Sequence, residues 1–319
     1  MTSTLVLSKV PRSLLWVTDP WATLTRDQDT TLRLAEEASK LGVLSYWSGI
    51  DFIFDAPENQ LKVIRVSTNF DEKPEFLSAS DFCQIHYRVD PPVDSNYKLG
   101  IEKLLKRGVS PSQILNPIKL IMGHSEKIPP AGLSHLAPRL KIVANMNDAR
   151  MAFQLFHLDS NFVTKPMNLA QSIGVKKWST PKNETLFIEL LDQETSQWTI
   201  PLLVEEYLPE IDQGEVRMWF AFGKFISALK KFPKSGDFRV LIDEGSKIEA
   251  HTLSQSEEKI AREVGLNLSQ ASVALAAIDF ISGKICDFNI TSPGLLIQLE
   301  QAHGKNFAKE IILELIQRL

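Results

Sequence analysis

In the stretch AIDFISGKICDFNITSPG, residues 277–294, Asp279 and Asp287 stand on either side of an SGK turn, and Asn289 follows Asp287 by two. Residues two apart in a strand share a face, so Asp287 and Asn289 point the same way. A three-residue loop of Ser282, Gly283 and Lys284 would pair Ile281 with Ile285 and set Asp279 opposite Asp287, gathering three oxygen-bearing side chains on one face. A two-residue loop would break that arrangement. Two carboxylates and an amide oxygen suit Mg2+, a hard octahedral ion that takes its remaining ligands from waters and phosphates. The competing reading is an ordinary solvated sheet face. Alternating Cys286, Phe288 and Ile290 support the strand rather than the ion.

The elements around this hairpin read as a mixed chain. Over 319 residues, 44% are hydrophobic and 23% charged, which fits two or three packed units and excludes disorder and fibrous repeats. A formal charge of -4 gives no overall attraction for nucleic acid or an anionic membrane. No apolar run approaches the roughly 20 residues that cross a bilayer, and the opening residues lack a secretory signal, so a cytoplasmic protein is expected. Cys83 and Cys286 read as free thiols. SLLWVTD, LSYW, LKVIRVS and FCQIHYR read as strands, and the stretch from Asp29 to Gly42 as a helix, giving an N-terminal α/β unit that closes near residue 115. KIVA and FVTKPM read as strands flanking a helix near 147–157. From TLFIELL through PLLVEEYLP and EVRMWFAFGKFISAL, short apolar runs separated by turn signals predict a largely antiparallel sheet. Ser256 is placed as the cap of a helix through Ile260 and Val264, and Phe307, Ile311 and Leu315 mark a last helix. The expected units are 1–115, 116–200 and 201–319.

DFNITSPG at 287–294 and EEYLPEIDQGEVR at 205–217 resemble the prokaryotic glutathione synthetase family of the ATP-grasp superfamily. VTDPWATLTRDQDTTLRLAEEASKLG and YRVDPPVD at 87–94 resemble that family's first strand, turn and helix and a second signature, in the same order. The resemblance implies an α/β N-terminal domain followed by central and C-terminal ATP-grasp (α+β) domains that hold nucleotide between them. It implies ATP and Mg2+ as cofactors. Phosphoryl transfer from ATP to a small carboxylate would be followed by attack of an amine or amino acid, making an amide and releasing ADP and phosphate. It also implies a homo-oligomer, with neither nucleic acid nor membrane as partner.

The same resemblance assigns roles residue by residue. Asp279, Asp287 and Asn289 become magnesium ligands, with Asp287 standing where the family more usually has Glu. Lys165 in FVTKPM and Lys127 in HSEKI become nucleotide-contacting lysines, against a null of solubilising surface residues. In LLVEEYLP, Val204 and Glu206 offer backbone groups to adenine, and Leu208 an apolar contact that strand packing explains equally well. Arg217 and Arg239 become the catalytic arginines, near the activated carboxylate and the transferred phosphate. Asp19 and Arg88 take the substrate side, against a turn-forming Asp and a plain salt bridge. His124 and the other histidines show no metal pattern.

Two loops depart from the family. Fifteen glycines are 4.7% of the chain, and the shortage falls on PMNLAQSIG (166–174), where a glycine-rich phosphate lid is expected, and on VLIDEGSK (240–247), where an Asn and glycine-rich substrate loop is expected. Asn168, Gln171 or Ser172 would have to supply hydrogen bonds in place of bare amides. Asp243 and Glu244 bring negative charge toward any phosphate. The leading expectation is an ADP-forming carboxylate–amine ligase. The alternatives are a non-catalytic ATP-binding regulatory protein on the same fold and a small-molecule phosphotransferase.

Overall fold

A computed structural model of the chain describes residues 13–67, 73–123, 125–167, 169 and 172–318. His124, Asn168 and Gln171 lie outside the described residues. The first sheet contains β1 (Ser13–Thr18), β2 (Leu44–Gly49), β3 (Leu61–Arg65), β4 (Glu75–Leu77), β5 (Gln84–Tyr87) and β6 (Ile114–Leu115), in the order β4-β3-β2-β1-β5-β6. β1 is parallel to both β2 and β5 and is buried on both faces, as expected of a strand inside an α/β layer. Leu15 and Val17 pack with Ile85 and Leu104, the latter on α3 (Ser95–Lys106), whereas Leu14 and Trp16 pack with Leu34 and Ala38 of α1 (Thr30–Lys40). Helix α1 starts where expected because the Asp29 carboxylate accepts from the Leu32 amide at 2.8 Å. A short helix, α2 (Ile50–Asp55), packs on the same unit.

A connector containing α4 (Ile118–Gly123) leads to a four-stranded antiparallel sheet. It contains β7 (Leu140–Val143), β8 (Asn161–Pro166), β9 (Lys176–Ser179) and β10 (Leu202–Glu206), in the order β7-β10-β8-β9. α5 (Met146–Phe156) and α6 (Glu184–Glu194) cover it through Phe156, Phe162, Phe187 and Leu191. α6 corrects the sequence reading, which put TLFIELL among the strands. Asn183 caps the helix by accepting from Leu186 at 3.0 Å, and Phe187 and Leu191, four apart, form its buried stripe. β10 also shows that a division at residue 200 cuts this sheet from one of its two central strands.

The third sheet is antiparallel, in the order β13-β12-β11-β14-β15, from β11 (Glu215–Ala221), β12 (Lys224–Phe232), β13 (Lys247–His251), β14 (Leu275–Ile281) and β15 (Lys284–Asn289). On one face Val216, Met218, Phe220 and Ile278 pack against α7 (Gln255–Gln270). The cap of α7 is Ser254, forming a capping box with Glu257, rather than Ser256. Gly223, at φ +80°, lies so close to α7 that a Cβ would stand 2.2 Å from the Gly265 carbonyl oxygen.

The opposite face changes character along its strands. At one end Trp219, Ala221, Leu229, Leu275 and Ala277 join Leu14, Trp16 and α1 in a shared core with α8 (Leu296–His303) and α9 (Phe307–Ile316). At the other end the same pleat presents Glu215, Arg217, Lys231 and Asp279 to an open cleft. Arg33 on α1 fixes the first unit to the last, its guanidinium donating to Glu300 at 2.7 and 3.2 Å and to Glu37 at 2.8 Å. Asn116 ties the connector to the third sheet, donating to the Leu275 and Ile290 carbonyls at 2.7 Å and accepting from the Ala274 and Leu275 amides at 2.6 and 3.0 Å.

Candidate active site

The cleft has a volume of about 1050 Å³ and is bounded by the second and third sheets, the loops between them, the start of α1 and the loop after β5. Its floor is the terminal hairpin. Asp279 does pair with Asp287, and Ala277 with Asn289, but the route differs from the expected one. The turn has two residues, Ser282 at φ +49° and Gly283 at φ +79°, both left-handed as in a type I′ hairpin. Ile281 then pairs with Lys284 and Phe280 with Ile285, and the register shifts before Asp279 meets Asp287. Cys286 is the extra residue of a β-bulge, and the bulge restores the alignment that the two-residue turn would otherwise destroy.

A chain of alternating charge crosses this floor through cross-strand neighbours. Glu215 lies opposite Lys231, and Arg217 opposite Asp279. The Arg217 fork donates to both Asp279 oxygens at 2.8 and 2.6 Å, and Lys231 Nζ stands 3.0 Å from Asp279 and 2.7 Å from Glu215. Asp279 is 1% exposed. Burial alone would raise its carboxyl, but the Arg217 and Lys231 charges outweigh burial and hold it at about 2.

These contacts divide the three oxygen ligands into two kinds. Asp287 makes no hydrogen bond or ion pair among the described residues and faces the cleft. Asn289 donates its amide nitrogen to the Ala277 carbonyl at 3.0 Å, leaving Oδ1 uncommitted. Asp279 already accepts four bonds, two from Arg217, one from Lys231 and one at 3.4 Å from the Asn289 amide nitrogen, which fills the roughly four sites its lone pairs offer. The donor set therefore fits a hard cation through Asp287 and Asn289, with Asp279 first anchoring Arg217 and Lys231. Among the described residues no three His, Cys, Asp or Glu side chains form a metal cage of their own.

The two lysines behave differently. Lys165 is held in the wall, 3.0 Å from Glu205 and donating to the Cys286 carbonyl at 3.2 Å. Burial opposes its charge, yet Glu205 and Asp287 raise its pKa, while burial pushes the Glu205 carboxyl up to about 6 against the pull of Lys165. Lys127 lines the same cleft with no ion-pair partner among the described residues. In the hinge, Leu208 and Tyr207 line the cleft, but Val204 does not. Val204 is fully buried in β10, between Lys141 on β7 and Thr164 on β8, so packing claims its side chain. Glu206 lines the cleft, but its amide donates to the Arg139 carbonyl at 3.0 Å and its carboxylate is held by Arg139 at 2.7 Å. Phe238 packs edge-on to Tyr207, with centroids 6.2 Å apart, and Lys177 Nζ sits 3.7 Å from the Tyr207 ring centre.

Arg239 reaches the cleft, but its guanidinium pairs with Asp237 in its own loop at 2.8 and 3.2 Å. Val240, Leu241, Ile242 and Glu244 line the cleft beside it; the Asp243 side chain is not among those described. On the lid side Leu169, Ser172 and Ile173 do so, and of the three expected glycine substitutes only Ser172 is described. Arg88 is 3% exposed and lines the cleft, donating to Thr31 Oγ1 at 2.9 Å and the Pro293 carbonyl at 2.7 Å. Asp19 does not line the cleft; it accepts from the Asp90 amide at 2.9 Å, as a turn-organising residue would. Sequence reasoning missed Glu205, Glu215, Lys231 and Glu126. The signal for the first three was period two: each lies on the same strand face as a residue already singled out or its cross-strand partner.

The element order and the cleft between a four-stranded and a five-stranded antiparallel sheet define an ATP-grasp architecture. Solved structures agree on the fold. D-cycloserine synthetase DcsG superimposes with a TM-score of 0.69 at 14% identity, covering 96% of this chain and 99% of that one. D-alanine–D-alanine ligase from Bacillus anthracis, complexed with ATP, gives 0.58 at 14% identity, covering 96% and 98%. The models of the prokaryotic glutathione synthetase N-terminal domain and ATP-grasp domain match residues 13–118 and 126–304. A glutathione synthetase of Prochlorococcus marinus (strain MIT 9313) is 27% identical over 316 residues, 96% of this chain and 99% of its own. The chain belongs to the prokaryotic glutathione synthetase family, and is an ATP-dependent, amide-forming ligase of the ADP-releasing kind. Among the described residues no helix is long and apolar enough to cross a membrane.

Proposed function

We propose that this chain joins a small carboxylate to an amine or amino acid at the floor of the cleft, using ATP and Mg2+, with a glutathione-like peptide as the first product to test. The supporting observation is the single sheet face that carries Arg217, Lys231, Asp279, Asp287 and Asn289 in cross-strand register, within one cleft with the uncommitted Lys127. Asp287 and Asn289 would hold Mg2+, beside Asp279, whose oxygens are taken by Arg217, Lys231 and the Asn289 amide nitrogen. When bound, the ion offsets phosphate charge. Arg217, kept charged by Asp279, would meet the substrate carboxylate with the donors Asp279 leaves free. Lys127 would take nucleotide phosphate, and Leu208 with Tyr207 would border the base. Lys165 would reach a phosphate from its seat on Glu205. Arg88 would orient the carboxylate substrate with its remaining donors. The reaction suits the cytoplasm, where Cys83 and Cys286 stay reduced, and a homo-oligomer is the expected assembly.

The test is incubation with ATP, Mg2+ and a pool of small carboxylates and amines, beginning with gamma-glutamylcysteine and glycine, while ADP and new amide masses are measured together. ADP release that requires both a carboxylate and an amine is expected. ADP release with no new amide mass would replace the ligase by a phosphotransferase, and nucleotide binding without turnover across the pool would leave a binding protein.

A further inference from the structure

Glu126 precedes Lys127 on the connector, and its side chain faces the hairpin rather than the cleft mouth. One carboxylate oxygen accepts three hydrogen bonds, from the Ile290 amide at 2.6 Å, the Thr291 amide at 2.7 Å and Thr291 Oγ1 at 2.9 Å. Its own carbonyl accepts from the Phe288 amide. The connector therefore grips β15 on both sides of Asn289, at 288 through its backbone and at 290–291 through its side chain. The Asn289 Oδ1 and the Asp287 carboxylate accept no bond among the described residues, and they lie where β15 ends. Beyond Asn289 that end is held by Asn116, donating to the Ile290 carbonyl at 2.7 Å, by Arg217, donating to the Gly294 carbonyl at 3.4 Å, and by Glu126, which takes the Ile290 and Thr291 amides. A strand end that frays would let Asn289 and Asp287 drift apart, and an octahedral ion with ligands at about 2.1 Å tolerates little drift.

Burial pushes the Glu126 carboxyl up, against the three bonds it accepts, and the nearby Asp287 charge pushes the same way. A carboxylate kept in that position is costly unless the bonds it accepts outweigh burial, and bonds to a charged acceptor are the strong ones. We propose that Glu126 is a positioning residue that holds Asn289 and Asp287 at the spacing the ion requires, through the backbone of Ile290 and Thr291. The proposal rests on the reading of Asp287 and Asn289 as metal ligands. It assigns Glu126 no contact with the ion or the substrates.

The experiment measures Mn2+ binding in the presence of ADP by electron paramagnetic resonance, with ADP binding in EDTA as a second measurement, on the full chain and its Glu126→Ala, Glu126→Gln, Thr291→Val and Asp287→Ala variants. Expected is Mn2+ binding to the unaltered chain that Asp287→Ala abolishes and Glu126→Ala weakens about tenfold. Glu126→Gln, whose amide oxygen can accept the same bonds, should leave Mn2+ affinity unaltered, and Thr291→Val, which removes one bond of three, should weaken it about threefold. ADP binding in EDTA should be unchanged in all. Should Glu126→Ala not fold, the Gln and Val variants decide, because a loss larger in Thr291→Val than in Glu126→Gln is expected. Unaltered Mn2+ affinity in Glu126→Ala, or in both milder variants where Ala does not fold, overturns the proposal alone. Mn2+ binding that ignores Asp287→Ala removes the metal reading and the proposal together.

Discussion

The six-stranded and five-stranded sheets both bury polar side chains, and they keep them by opposite means. In the first, His86 on β5 is 1% exposed and stacks on Trp16 with ring centroids 4.2 Å apart, and its Nε2 has no hydrogen-bond partner among the described residues. Burial, helped by the Arg88 charge, depresses its pKa to about 3, so the ring stays neutral and serves as an aromatic plate. In the third sheet, Asp279 is as deeply buried yet stays ionised, because Arg217 and Lys231 share it. A neutral buried ring fills space. Buried charges held in register across strands are retained where an anionic ligand has to be met, since a hydrophobic replacement would pack at least as well.

Five substitutions would sharpen or break this contrast. Asp279→Ala leaves Arg217 and Lys231 without their shared counter-ion, and should cost about 3–5 kcal/mol of stability in urea denaturation together with turnover. A cost under 1 kcal/mol would mean that the charge chain is solvated and that the contrast fails. Asp287→Ala touches no partner, so it should slow ADP release by about 10²–10³-fold, equivalent to about 3–4 kcal/mol, while stability stays within about 0.5 kcal/mol. A comparable fall in stability would make Asp287 a packing residue.

His86 supplies the pH test. Its folded pKa lies below its unfolded value of about 6.5, so its contribution is fully present above pH 6.5 and is lost as pH falls toward 3. By pH 4.5 the loss should reach about 2–3 kcal/mol, and His86→Phe should remove that part of the pH dependence. Parallel stability curves for the two proteins between pH 7 and 4.5 would show that the ring accepts a proton in place. The smallest effect is expected from Lys127→Ala, a five- to tenfold rise in the KM for ATP, about 1–1.4 kcal/mol, with unfolding unchanged. If Lys165→Ala changed the KM alone and left stability intact, the roles given to the two lysines would have to be exchanged.

Much of this was legible in the sequence wherever period and face were enough. The alternation in β14 and β15 put Asp279, Asp287 and Asn289 together, and Asp29 announced α1. The hairpin shows what such reading misses. Counting residues around SGK cannot distinguish a three-residue loop from a two-residue turn with a bulge at Cys286, because both bring Asp279 opposite Asp287. TLFIELL was ambiguous because short apolar runs fit a strand or a helix, and the Asn183 cap that decides it lies outside the run. Val204, read as offering backbone groups, lies off the cleft with β7 and β8 on its two sides, a placement that a signature read without its strand neighbours does not reveal. Glu126 acquires meaning only once the connector and β15, distant in sequence, are neighbours.

The core shared by β1, α1, β11, β14, α8 and α9 joins the two ends of the chain. During synthesis, the face of α1 that carries Leu34 and Ala38 must wait for Leu296, Leu299, Ile311 and Leu315, which leave the ribosome only after the second and third sheets have done so. The first sheet can pair its strands early, but its α1 side stays uncovered until α8 and α9 have been made. Chains cut short before α8 are therefore expected to be substrates for chaperones and proteases rather than smaller working enzymes.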